Sequence, residues 1–101
     1  MKATKSYQDE LIKSLKDPRE AVEYINAALE ESDSPEVFLL ALRNVAEAYG
    51  ITKLSRKTHL NRENLYRILS EKGNPEFNSL HSLLNGLGLR LHVELKEKIA
   101  D

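Results

Sequence analysis

From Tyr7 to Leu87 the apolar residues recur mostly three and four positions apart, and each run is bracketed by residues that start or stop a helix. "YQDELIKSL" places Tyr7, Leu11 and Leu15 four apart with Ile12 beside them, a narrow stripe on a short helix ending near Lys16. "DPREAVEYINAALEES" opens with Asp17 as N-cap, Pro18 at the first helical position and Glu20 three residues after the cap, the ingredients of a capping box. Ala21, Val22, Ile25, Ala28 and Leu29 form its expected buried face. "SPEVFLLALRNVAEAYG" repeats the grammar with Ser34 as cap, Pro35 next and Gly50 as the stop, and it is the most apolar segment of the chain.

After Gly50 the elements become short. Thr52 is the expected cap of "KLSRKT"; His59, Leu60 and Asn61 make a tight connection; Asn61 caps "RENLYRILSEK", which Gly73 ends. The "GNPE" stretch breaks the chain, Phe77 is expected to pack inward, and "NSLHSLLNGL" aligns Leu80, Leu83, Leu84 and Leu87 on one helical face before Gly88. Two short helices joined by such a turn form a helix-turn-helix if the facing positions are small or apolar. Leu54, Ser55, Leu60, Leu65 and Ile68 meet that demand. Arg62, Glu63, Asn64, Tyr66 and Arg67 are left pointing outward, a set with planar donors suited to base edges and phosphate. "LRLHVEL" then changes period: Leu89, Leu91, Val93 and Leu95 alternate with Arg90, His92 and Glu94, the rhythm of a half-buried strand. A lone strand needs a partner, which a second copy or another protein's sheet can supply; an extended tail packed on helices is the alternative.

Length and composition fit one domain. The 101 residues, 41% of them apolar, divide into an N-terminal helical extension (1–33), a helix-turn-helix core (34–88) and a C-terminal strand (89–96). Cysteine is absent, in keeping with a reducing compartment, and no apolar run is long enough for a signal peptide core or a membrane span. A soluble cytoplasmic protein with no membrane partner is the expectation. Charge is uneven along the chain: residues 1–50 carry six basic and ten acidic side chains, residues 51–101 nine and six. Five of the basic ones, Lys53, Arg56, Lys57, Arg62 and Arg67, fall within seventeen positions beside a single acid, Glu63. Such clustering on a helix-turn-helix points to double-stranded DNA. Glu63 and Arg67, four apart, also suit an ordinary exposed helix pair, and Tyr66 can equally lean on the domain. His59, His81 and His92 are dispersed over turn, helix and strand, and no phosphate loop or HExxH is present, so no metal, cofactor or enzymatic activity is expected.

The stretch from about Val37 to Val93 resembles the Xre-type, lambda-repressor-like fold, and so implies a mainly α protein of five to six helices. A narrower resemblance runs nearly end to end. The "DPREA" helix, "NRENLYRILS" and "GNPEF", in that order, are similar to addiction-module antidote proteins of the HigA-like group. That resemblance implies an antitoxin that neutralises a RelE/ParE-like toxin and represses its own operon. A single helix-turn-helix of this size buries too little surface to be selective, so a homodimer on a palindromic operator is expected. Carried onto this chain, the resemblance makes Asn61, Arg62, Glu63, Asn64 and Arg67 the candidate base-reading positions, with Tyr66 beside them. Thr52 and Lys53 become backbone clamps, Asn78 a further anchor, and Arg56, Lys57 and Lys72 sources of attraction. Many such repressors have Gly in the turn where this chain has His59, a residue that tolerates a left-handed backbone better than branched ones do. The competing reading is a helical protein-binding module that captures its partner through the acidic N-terminal half, on Asp9, Glu10, Glu20, Glu23, Glu30 and Glu31, or through the strand, without reading DNA.

Overall fold

A computed structural model describes residues 5–31, 33–70 and 72–97, and within them six helices follow one another. These are α1 (Lys5–Ser14), α2 (Pro18–Glu31), α3 (Pro35–Tyr49), α4 (Ile51–Thr58), α5 (Arg62–Ile68) and α6 (Phe77–Gly86). The long apolar α3 is the shared wall: α1 and α2 pack on it, α4 packs on it, and α4 in turn holds α5 and α6. Leu42, Leu54, Leu65, Leu69 and Leu83 are the largest fully buried side chains, drawn from α3, α4, the end of α5 and α6. At about 1.5–3 kcal/mol for each buried leucine, this cluster stabilises helices of 8 and 7 residues (α4 and α5) that are too short to persist alone.

The N-terminal extension is fastened by both apolar and polar contacts. Leu15, Ala21 and Ile25 are buried, while Tyr7, Val22 and Leu29, expected on the same faces, are exposed. Asn44, a polar residue in the middle of α3, is nonetheless buried. Its Nδ2 donates to the Tyr24 hydroxyl at 2.8 Å, and its Oδ1 accepts from Gln8 Nε2 at 3.1 Å. One amide thus ties α1 and α2 to α3.

Helix ends follow the sequence signals in part. The Asp17 carboxylate accepts the Arg19 amide at 2.9 Å, and the Asn61 side chain accepts the Asn64 amide at 2.7 Å, as N-caps do. Ser34 precedes Pro35 in an extended conformation but makes no side-chain cap bond, leaving Pro35 to start α3. Thr52 is not a cap. Gly50, at φ 111°, both ends α3 and begins α4: its N–H bonds to Ala46 O at 2.9 Å and its C=O accepts from Leu54 N at 2.9 Å. Thr52 is therefore the second residue of α4. α5 stops at Ile68, earlier than the expected Lys72, because the amide and hydroxyl of Ser70 both donate to Arg67 O. The chain then folds back so closely that a Cβ on Gly73 would overlap the Ile68 carbonyl. α6 ends in a Schellman arrangement, with Gly88 at φ 81°, Gly88 N–H on Asn85 O at 3.0 Å and Leu89 N–H on Leu84 O at 2.8 Å.

Two expectations are corrected. Phe77 does not pack inward; it is 66% exposed and stacks on His81 with ring centroids 5.9 Å apart. The strand over 89–96 does not form: among the described residues there is no strand, and the bond from Leu89 is the last backbone pairing among them. Alternation sets which side chains share a face, but a ladder requires a neighbouring strand, and the rest of the described fold offers only helices. Leu91, Val93 and Leu95 are consequently exposed, Val93 at 90%.

Candidate nucleic-acid interface

The turn between α4 and α5 is closed by its own hydroxyls. Thr58 Oγ1 donates to Leu54 O at 2.8 Å and accepts from Leu60 N at 3.2 Å, while Ser55 Oγ donates to Leu60 O at 2.7 Å. His59 takes the left-handed conformation, φ 62°, and its amide bonds to Ser55 O at 3.0 Å. His59 thus occupies a backbone conformation that favours glycine. Ser55, expected merely to be small, also anchors the far side of the turn. Leu60 packs against the core and Leu65 and Ile68 are buried, so the orientation of α5 is fixed by three inward side chains.

That anchoring leaves the opposite side of α5 open. Arg62, Glu63, Tyr66 and Arg67 are exposed and Asn64 is half-buried. Arg67 Nη2 donates to Asn64 Oδ1 at 2.7 Å, so two of the planar candidates form one unit. The guanidinium goes to this amide three residues back, where the sequence offered Glu63 four residues back. Arg67 and Asn64 border a cleft of about 250 Å³ together with Ser70, Lys72 and Ser79. Asn61, exposed at the start of α5, spends its side-chain oxygen on the cap.

On α4 the candidates divide. Thr52, Lys53 and Arg56 are all exposed and lie on the helix packed against α5. Lys53 Nζ sits 4.4 Å from the centre of the Tyr49 ring, and Lys57 Nζ sits 5.5 Å from it and donates to the Tyr49 hydroxyl at 2.9 Å. Cation–π contacts at exposed sites contribute about 0.5–1 kcal/mol, enough to bias where an ammonium rests but not to withhold it from a phosphate. Tyr49 was missed in the sequence, because it ends α3 and the break at Gly50 separates it from the two lysines on α4. Asn78, the second residue of α6, is exposed behind a Glu76 N-cap that makes no side-chain cap bond. No helix among the described residues is long and apolar enough to cross a membrane.

An exposed helix face carrying Arg, Asn, Glu and Tyr, beside a second helix carrying Lys and Arg, has the chemistry to reach base edges and backbone oxygens at once. Comparison with known proteins bears on most of the chain. A protein of Haemophilus influenzae described as an uncharacterized protein is 35% identical over 71 residues, which span 70% of this chain and 72% of that one. No solved structure matches. The family model described as "Probable addiction module antidote protein" matches residues 5–95, from the first described helix to the end of the C-terminal segment. The chain therefore belongs to the family of probable addiction-module antidote proteins.

Proposed function

We propose that this chain is the antitoxin of a type II toxin–antitoxin module, with an Xre-type, HigA-like DNA-binding core. It neutralises a RelE/ParE-like toxin in the cytoplasm. As a homodimer it represses its own operon, seating α5 of each copy in the major groove of a palindromic operator about one duplex turn, roughly 34 Å, apart. The antidote family supports the first role. The observation that carries the second is the outward face of α5, where Arg62 and the Arg67–Asn64 unit stand free of the core while Leu65 and Ile68 hold the helix from behind.

Within this reading Arg62, Asn64 and Arg67 contact bases, with Asn61, Glu63 and Tyr66 at the rim, and Thr52, Lys53 and Arg56 hold phosphates. Binding of the chain's own promoter fragment tests it. Arg62→Ala should cost roughly 1–3 kcal/mol and relax preference at one base pair, whereas Lys53→Ala should weaken specific and unrelated duplexes alike. If both variants bind as the wild type does, α5 does not read DNA. A second reading has its own support: the exposed acids Asp9, Glu10, Glu20, Glu23, Glu30 and Glu31 of α1 and α2 suit capture of a basic toxin. In that case toxin binding survives in a protein that never retains DNA.

A further inference from the structure

The C-terminal segment is the least satisfied part of the described chain. Leu91, Val93 and Leu95 are exposed, and so are Val22 and Leu29 of α2. All five line one groove of about 1180 Å³ that runs between α2 and the segment. A groove that gathers these apolar side chains beside Glu30, Asp33 and the segment's own charged residues, and that is bordered by an unpaired segment of two-residue period, is built to be covered by another strand.

The segment's own charges identify that strand. "LRLHVEL" reads nearly the same from either end, with His92 at the centre, Leu91 opposite Val93 and Leu89 opposite Leu95, but Arg90 faces Glu94. We propose that residues 89–95 pair with the same residues of a second copy of this chain, as an antiparallel ribbon whose two-fold axis passes through His92. Directly opposed residues of an antiparallel pair lie on the same face. In this register Arg90 meets the second copy's Glu94 and Glu94 meets its Arg90, so both ends of the charged face are neutralised. On the other face Leu91 meets Val93, and Leu89 meets Leu95. Within one chain Arg90 and Glu94 cannot satisfy each other once extended, since four residues of strand span about 13 Å. Moving the axis to Val93 sets Arg90 against Lys96, and moving it to Leu91 sets Arg90 against His92 and leaves Glu94 facing Gly88. A slip by a single residue carries the leucines to the charged side. The register centred on His92 is thus the one that matches both faces. A two-stranded ribbon alone is marginal in water. Here the apolar face has the groove beside α2 to cover it, and a self-complementary contact of this kind closes as a dimer rather than growing into a fibre.

The inference deepens the homodimer of the proposed function, and its test uses full-length protein without DNA, so that its failure leaves the DNA reading of α5 standing. The chain has no cysteine, so a single introduced thiol reports one contact. His92→Cys places two sulfurs on the axis, with Cα atoms about 4.5–5.5 Å apart, inside disulfide reach, and mild oxidation should convert the protein to a covalent dimer. Glu94→Cys puts its thiols at least about 13 Å apart and should stay uncrosslinked, whereas a mixture of Arg90→Cys and Glu94→Cys chains should crosslink. In sedimentation at micromolar concentration the wild type should be dimeric, Arg90→Glu and Glu94→Arg should each dimerise about tenfold more weakly, and the double swap should recover. A monomeric wild type overturns the proposal, even if a toxin subsequently protects the segment. So does crosslinking of Glu94→Cys as readily as His92→Cys, or a double swap that stays as weak as the single variants.

Discussion

Asn44 shows how much one side chain governs the N-terminal extension. It lies 6% exposed in the most apolar helix of the chain, where a polar residue without partners would be destabilising, and its amide is satisfied by Gln8 and Tyr24. Asn44→Ala should cost about 1–3 kcal/mol, because Tyr24 and Gln8 lose their partner in a part-buried place. The loss should register as a lower denaturation midpoint and as faster amide exchange in α1 than in α4; uniform exchange across both helices would refute the assignment. The sequence gives no hint of this role, since Asn44 falls within a helical pattern and its partners are 36 and 20 residues away. His59 is the contrasting case. Its position in the turn was legible, and its left-handed backbone accompanies closure of the turn by Ser55 and Thr58.

At the scale of elements, the approach of α4 to α6 turns on Gly86. A Cβ there would lie 2.5 Å from Thr58 Cγ2 and 3.1 Å from Leu54 Cδ1. Thr58 cannot readily rotate away, because its hydroxyl is bonded to Leu54 O and to the Leu60 amide. Gly86→Ala gains up to about 1 kcal/mol in helix propensity, whereas overpacking costs typically about 1–3 kcal/mol. The net should be destabilisation on the order of 1 kcal/mol, measured by urea unfolding; a more stable variant would mean that α6 slides freely over α4. Helix existence and order were readable from apolar spacing together with Asp17, Pro18, Pro35, Asn61 and Gly88. Three errors were decided by bonds and contacts within four residues. Gly50 displaced Thr52 as the start of α4, Ser70 cut α5 short, and Phe77 found His81 instead of the core. Residues 89–95 had a strand's alternation but no ladder partner in their own chain.

For the whole molecule, the sign change along the sequence becomes a division of surface. Exposed acids outnumber exposed bases six to three on α1 and α2, exposed bases outnumber exposed acids five to one on α4 and α5, and α3 packs against α1, α2 and α4. If the basic end holds six or more phosphates per dimer, promoter affinity should fall by roughly a thousandfold between 50 and 200 mM salt. A titration across that range checks it, and a flat response would place the working surface at the acidic end. The candidate site was largely legible, because charge and helical phase suffice to list Arg62, Asn64, Tyr66 and Arg67 as outward. What sequence could not supply was their mutual arrangement: the Arg67–Asn64 bond, the turn of Lys53 and Lys57 toward Tyr49, and the groove left open beside the C-terminal segment.

At Gly50 a single residue supplies the closing amide of α3 and the opening carbonyl of α4, so no linker separates the two helices. A load that tilts α3 through the acidic helices should therefore be passed on to α4 and the basic pair.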